Sequence, residues 1–252
     1  MFENETIDNI YNLYEKRYNL TKLAIESGIP EKEYKSLSSE DKFLNLSIKL
    51  KESGKINLAS FFFGKLFEVT NNINALIYKI ECLIELGEYE EAQRYNNMAW
   101  ELYLEYDNID VFDIERRISY QKALISFCTE KHNFTEWFCE ECIIKFKTQE
   151  FYHLLCANFI ALNDFSNAKK FYSKYCNKFG DQINFLLEVF VNLLNLNYLE
   201  KALEFINLIY NITEKQRSTI ITYINNYYSF NKNKTILKTM FEKEVNIIKT
   251  LK

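Results

Sequence analysis

Residues 74–103 decide how this chain reads. An amphipathic run from Ala75 to Leu86 stops at Gly87-Glu88-Tyr89, and a second run follows from Glu90 to Glu105. Tyr89 comes two residues after the glycine, Ala92 five after it, and Ala99 seven after that. Leu76, Ile80 and Leu83 keep the spacing of one helix face. A glycine where such a run stops supplies the left-handed backbone that ends a helix. The stretch therefore predicts two antiparallel helices joined by a tight turn. The small Ala92 lets them approach closely, and Tyr89 fills the wedge beneath.

The same form recurs along the chain. It appears as Ser53-Gly54-Lys55-Ile56-Asn57-Leu58-Ala59, as Asn163-Asp164-Phe165-Ser166-Asn167-Ala168, and as Asn197-Tyr198-Leu199-Glu200-Lys201-Ala202. A weaker copy is His132-Asn133-Phe134-Thr135-Glu136-Trp137, with tryptophan in the small-residue slot. Anchors at Ala59, Ala92, Trp137, Ala168 and Ala202 are 33, 45, 31 and 34 residues apart. The long interval predicts an insertion near residues 101–118, read as a longer second helix followed by a loop. The bulk of Trp137 predicts an irregular third pair.

The Gly-Glu-Tyr-x-x-Ala turn and its spacing resemble the tetratricopeptide repeat, whose period is ~34 residues. The resemblance covers residues 40–210. It implies an all-α fold, a right-handed superhelix of antiparallel helix pairs forming an α-solenoid. The expected organisation is an N-terminal helical cap over residues 1–38, with Ile7, Ile10, Leu13 and Tyr14 on one stripe and a break at Pro30. About five helix pairs follow over 39–210, then C-terminal capping helices over 211–252, drawn at 214–229 and 235–250.

Composition agrees with an all-helical chain. One proline and five glycines in 252 residues are too few turn-formers for a sandwich or barrel. The net charge of −4 and the lack of a basic stripe argue against nucleic acid. Lysines gather only near the end, at Lys232, Lys234, Lys238, Lys243, Lys249 and Lys252, diluted by Glu242 and Glu244. Met1-Phe2-Glu3-Asn4-Glu5 has neither the basic nor the apolar part of a secretory signal. No stretch has the ~18 apolar residues of a membrane span. The expected location is cytoplasmic or nuclear, and the six cysteines are expected as free thiols.

Catalytic motifs are missing: there is no phosphate loop, no Gly-x-Ser-x-Gly and no His-Glu-x-x-His. Cys128, His132, Cys139 and Cys142 have zinc-ligand chemistry. The repeat register scatters them between an inner face, a turn and the outward side of a second helix. No metal and no cofactor are therefore expected. Glu140 and Glu141 would oppose a thiolate at either Cys139 or Cys142, which argues against a redox pair.

The chain is expected to work by holding other proteins, as a helix or an extended peptide. In repeats of this kind the first helices line a groove. The same register puts Asp41, Leu44, Ile48 and Lys51 there from the first pair, Asn74, Ile77, Glu81 and Ile84 from the second, and Ser119, Lys122, Ser126 and Thr129 from the third. Glu150, His153, Ala157 and Ile160 come from the fourth, and Asn184, Leu187, Val191 and Leu194 from the fifth. The candidate partner-binding residues are Ile77, Glu81, Ile84, His153, Ala157, Ile160, Leu187, Val191 and Leu194. The row lacks the Lys/Asn/Arg set with which some tetratricopeptide co-chaperones clamp a C-terminal carboxylate. The apolar strip of the last two pairs either takes a partner or is covered by the chain itself, and the sequence leaves both open.

Leu58-Ala59-Ser60-Phe61-Phe62-Phe63-Gly64-Lys65-Leu66, leading into the repeat at Asn74, is similar to the N-terminal region of the tetratricopeptide subunits of the anaphase-promoting complex. That similarity implies homodimers and a scaffolding role in the cell cycle, although this chain is far shorter. The function expected is a non-catalytic scaffold in a larger intracellular assembly. The alternative is a soluble receptor for a peptide or small ligand.

Overall fold

A computed structural model describes residues 6–105, 111–180, 182–209 and 213–222. Among them every regular element is a helix. These are α1 (Ile7–Tyr18), α2 (Leu20–Glu26), α3 (Glu31–Ser36), α4 (Ser39–Glu52), α5 (Ile56–Thr70), α6 (Ile73–Leu86) and α7 (Tyr89–Glu105). Then come α8 (Val111–Cys128), α9 (His132–Phe146), α10 (Gln149–Ala161), α11 (Phe165–Phe179), α12 (Gln182–Asn195) and α13 (Leu199–Asn207). Residues 214–222 are also helical, and the rest of the expected C-terminal helices lies outside the described residues. The chain divides into two compact units at Gln121/Lys122, inside α8.

Five hairpins close with one turn. Their left-handed residues are Gly54, Gly87, Glu130, Asn163 and Asn197, and Gly28 ends α2 in the same way. Each donates its amide to the carbonyl three residues back, and the next residue donates to the carbonyl five back, as Gly87→Ile84 and Glu88→Leu83 do. This is a Schellman closure, which satisfies carbonyls left over at a helix end. The fifth residue beyond the turn then packs against the preceding helix. It is Ala59, Ala92, Thr135, Ala168 or Ala202, and each is fully buried.

The third hairpin corrects the sequence reading. Its small residue is Thr135, and Trp137 is 57% exposed on the other side of α9. The turn is no more irregular than the others, with Glu130→Phe127 at 3.0 Å and Lys131→Ser126 at 2.9 Å. The anchors are thus 33, 43, 33 and 34 residues apart. The motif was misplaced by two residues because Asn133-Phe134 mimics the turn, while an acidic Glu130 takes the position that glycine or asparagine fills elsewhere.

Three second-to-first-helix links are also alike. Asn71, Lys147 and Gly180 are left-handed and donate to the carbonyl four residues back, and the next helix starts two residues on. The α7–α8 link departs from this. α7 runs 17 residues and α8 runs 18, against 13 to 15 for their counterparts α4, α5, α6, α9, α10 and α11. The insertion therefore lengthens both helices, so residues 111–118 are helix, not loop. The connection at 106–110 lies outside the described residues.

In the first unit, α1 is fastened to α4 and α5 by aromatic edges. Tyr11 meets Phe43 at 5.7 Å, and Tyr14 meets Phe43, Phe61 and Phe62 at 6.2, 5.7 and 6.1 Å. Such pairs add to simple burial because ring edges face ring faces. Tyr34, from α3, is fully buried with its hydroxyl 3.5 Å from that of Tyr11. Gly64 sits inside α5, where glycine costs ~1 kcal/mol relative to alanine. A Cβ there would stand 2.9 Å from Lys79 Nζ, which donates to Tyr95 Oη at 2.9 Å.

In the second unit α10 forms the centre. Every residue from Phe151 to Ala161 is buried. A helix apolar on all sides belongs in a core. One polar pair inside it is fully reciprocal: Asn158 donates to the His132 carbonyl at 3.2 Å, and Asn158 Oδ1 lies 2.8 Å from His132 Nδ1. That arrangement makes Nδ1 the protonated nitrogen, and it ties α10 to the start of α9.

Candidate functional site

The row read as facing a groove takes its register from the common turn: positions 13, 10, 6 and 3 residues before each left-handed residue. In the third pair the corrected register replaces Ser119, Lys122, Ser126 and Thr129 with Arg117, Tyr120, Leu124 and Phe127. The structure supports the shift. Burial does not separate the two rows, since Ser119, Ser126 and Phe127 are all buried, but Lys122 lies over the rings of Phe134 and Phe138 of α9. Arg117 instead reaches across to α6.

In the first unit this row carries a chain of charges across three helices. Glu81 of α6 is its hub. One carboxylate oxygen lies 2.6 Å from Lys51 Nζ of α4, and the other lies 3.2 Å from Arg117 Nη2 of α8. Lys51 also approaches Glu85 at 3.4 Å. Arg117 donates to Asn74 Oδ1 at 3.3 Å and stacks 4.8 Å from the Tyr78 ring centre. Burial works against the Lys51 charge, but Glu81 and Glu85 outweigh it and hold its ammonium above the ordinary lysine value. All three hub side chains keep between 20% and 29% of their surface exposed.

This geometry refines the comparison with a carboxylate clamp. Lys51, Asn74 and Arg117 do stand on successive first helices, which the misplaced register concealed. The chain's own Glu81 already occupies the space between the two cations. They are neutralised internally and do not present an open anion site.

The nine residues read as a groove divide by burial. Ile77, His153, Ala157, Ile160 and Leu194 are buried, whereas Glu81, Ile84, Leu187 and Val191 are half-buried. In the second unit His153 packs against Tyr175 at 5.4 Å and Phe185 at 5.0 Å. Its ring acts there as part of the core. Of these nine, the accessible ones are therefore Glu81 and Ile84 in the first unit and Leu187 and Val191 of α12 in the second.

The cysteines read differently from the expectation. Cys139 and Cys142, placed on an outward face, are buried. Burial and the neighbouring Cys142 and Glu140 push the Cys139 thiol well up. Burial likewise raises Cys156, and raises Cys82 to about 12 against the pull of Lys51. Protonated, buried thiols are poor nucleophiles. Among the described residues no group of three or more His, Cys, Asp or Glu side chains is placed to hold a metal ion. No helix among them is long and apolar enough to cross a membrane.

No protein-family model matches the chain, and no curated protein matches it. Among solved structures it is similar to YrrB, described as a TPR protein with an unusual peptide-binding site: identity is 14%, TM-score 0.43, with 80% of this chain and 91% of that one covered. It is also similar to Acl4, an assembly chaperone of RpL4, at 10% identity and TM-score 0.44, covering 93% of this chain and 98% of that one. A tetratricopeptide repeat protein from Parabacteroides merdae aligns at 14% identity and TM-score 0.37, over 86% of this chain and 97% of that one. Among the described residues the chain is helical, and five of its helix pairs are closed by the same turn.

Proposed function

We propose that this chain is a non-catalytic scaffold that holds another protein along its first-helix row, as a subunit of a larger intracellular assembly. The observation that carries the reading is the ladder Lys51–Glu81–Arg117 with Asn74 beside it. It is polar and partly exposed, and rigid helix pairs hold it in place. A partner backbone or side chain can exchange hydrogen bonds with such a row without the chain refolding. Glu81 and Ile84 form the contact surface in the first unit, and Leu187 and Val191 form it in the second. Ile77, His153, Ala157, Ile160 and Leu194 support these from beneath. Assembly subunits of the kind found in the anaphase-promoting complex fall within this reading.

The test is purification of the tagged chain from its native cells, as wild type, Glu81→Lys and Arg117→Glu. A stoichiometric protein partner retained by the wild type and lost from both variants is expected. Circular dichroism checks that the variants stay folded. Recovery of the wild type alone as a monodisperse monomer would count against the proposal. So would a partner held equally by all three proteins.

A further inference from the structure

The second helix of the third pair carries apolar residues on two sides. Thr135, Cys139, Cys142, Ile143 and Phe146 face the core of the second unit and are buried. Opposite them, Trp137 is 57% exposed and Ile144 is 70% exposed, the latter more than any other large apolar residue described. They are seven residues apart, so they stand two turns, about 10.5 Å, along one face. Phe134 and Phe138 flank Trp137, with ring centres 5.6 and 6.1 Å from it, and stack on each other at 5.3 Å. This fixes the indole on a firm aromatic base.

The exposed charges between the two anchors are acidic, and the exposed Lys145 and Lys147 stand beyond Ile144. Glu140 and Glu141, both exposed, stand between Trp137 and Ile144. Glu136 lies one residue before the indole. Its carboxyl is held above the ordinary value by burial and by the nearby Glu140 and Asp164. Mutual repulsion of this sort is relieved by a partner that brings cations. Lys145 lies over Phe146, and Lys122 lies over Phe134 and Phe138, which places these two cations at the margin.

We propose that the outer face of α9 is a docking surface for an amphipathic helix of another protein, one with two apolar residues seven apart and Lys or Arg between and beside them. Two anchors two turns apart match the i, i+7 row of a helix. Glu136, Glu140 and Glu141, beside Trp137 and between the anchors, select a partner with basic residues there, since charge complementarity decides which helix settles in which register. The surface is on a second helix, so it is separate from the first-helix row proposed above and stands whether or not that proposal holds.

Trp137 makes the test direct, since the chain has only two tryptophans. The full chain carrying Trp100→Phe reports on Trp137 alone. The probes are two synthetic helical peptides of about four turns, each with leucines seven apart, one flanked by lysines and one by glutamates. The lysine peptide is expected to shift Trp137 emission to the blue with saturation, and to bind at least tenfold more tightly than the glutamate peptide. Glu140→Lys with Glu141→Lys should reverse that preference, and circular dichroism confirms that this exposed double variant remains folded. No saturable shift up to millimolar peptide would overturn the proposal, as would equal binding of the two peptides. A blue shift that depends on protein concentration alone would assign the face to a second copy of the chain, and would also overturn it.

Discussion

Glycine and alanine exchanged at Glu130 and His132 test where the third hairpin turns. Glu130 has φ 57°, in the left-handed region, while His132 begins α9. A side chain with a Cβ costs ~1–2 kcal/mol in left-handed backbone, and glycine returns ~0.5–1 kcal/mol of that through its freer unfolded chain. Glu130→Gly and Glu130→Ala both lose the 3.2 Å hydrogen bond from Tyr198 Oη, so that loss cancels between them. Glu130→Gly should then be more stable than Glu130→Ala by about 1 kcal/mol. At His132 the order should reverse, by less than the ~1 kcal/mol of a helix interior because this is the first residue of α9. Urea unfolding followed by Trp137 emission in a Trp100→Phe background gives both differences as midpoint shifts at constant slope. If glycine were better than alanine at His132 and worse at Glu130, the turn would lie two residues later, and the Thr135 register with its Arg117–Glu81 contact would be wrong.

Glu81→Ala should lower stability by about 1–2 kcal/mol, between the values for exposed and buried pairs, since its partners Lys51 and Arg117 are 22% and 20% exposed. It should also open an anion site between Lys51 and Arg117, so that sulfate raises the melting temperature of the variant more than that of the wild type; an equal effect would refute this. Asn158→Leu removes the partner of the half-buried His132 Nδ1 and one donor to the His132 carbonyl, and should cost about 1 kcal/mol by urea unfolding; a neutral result would mean the pair does not tie α9 to α10. Cys82, Cys139 and Cys156 are protonated in the folded chain with raised values, whereas free thiols ionise near 9.0. The unfolded state therefore loses protons first, and stability should be level below pH 9 and fall as pH rises beyond it. A urea midpoint unchanged between pH 7 and 10.5 would contradict that sign.

Much of this fold is legible in the chain because helix ends are local events. A left-handed residue, a small residue five positions later and an apolar face before the turn need only their own neighbours. Gly54, Gly87, Asn163 and Asn197 therefore announce their hairpins. Glu130 does not, since an acid in left-handed backbone is held there by the packing of α8 against α9 and by no preference of its own. Once that position slips, the whole third row slips with it, which is why Arg117 was hidden and Lys122 was placed in the groove.

What the sequence determined by itself is an all-helical chain of paired helices with a repeating turn. The tertiary structure decided which apolar faces stay covered. His153, Ala157 and Ile160 read as a groove by periodicity, yet α10 is buried on every side; Trp137 reads as a core residue by its size, yet it is open to solvent. Periodicity fixes the direction in which a side chain points. Whether it meets water or protein depends on elements far away in sequence, and only their packing settles it.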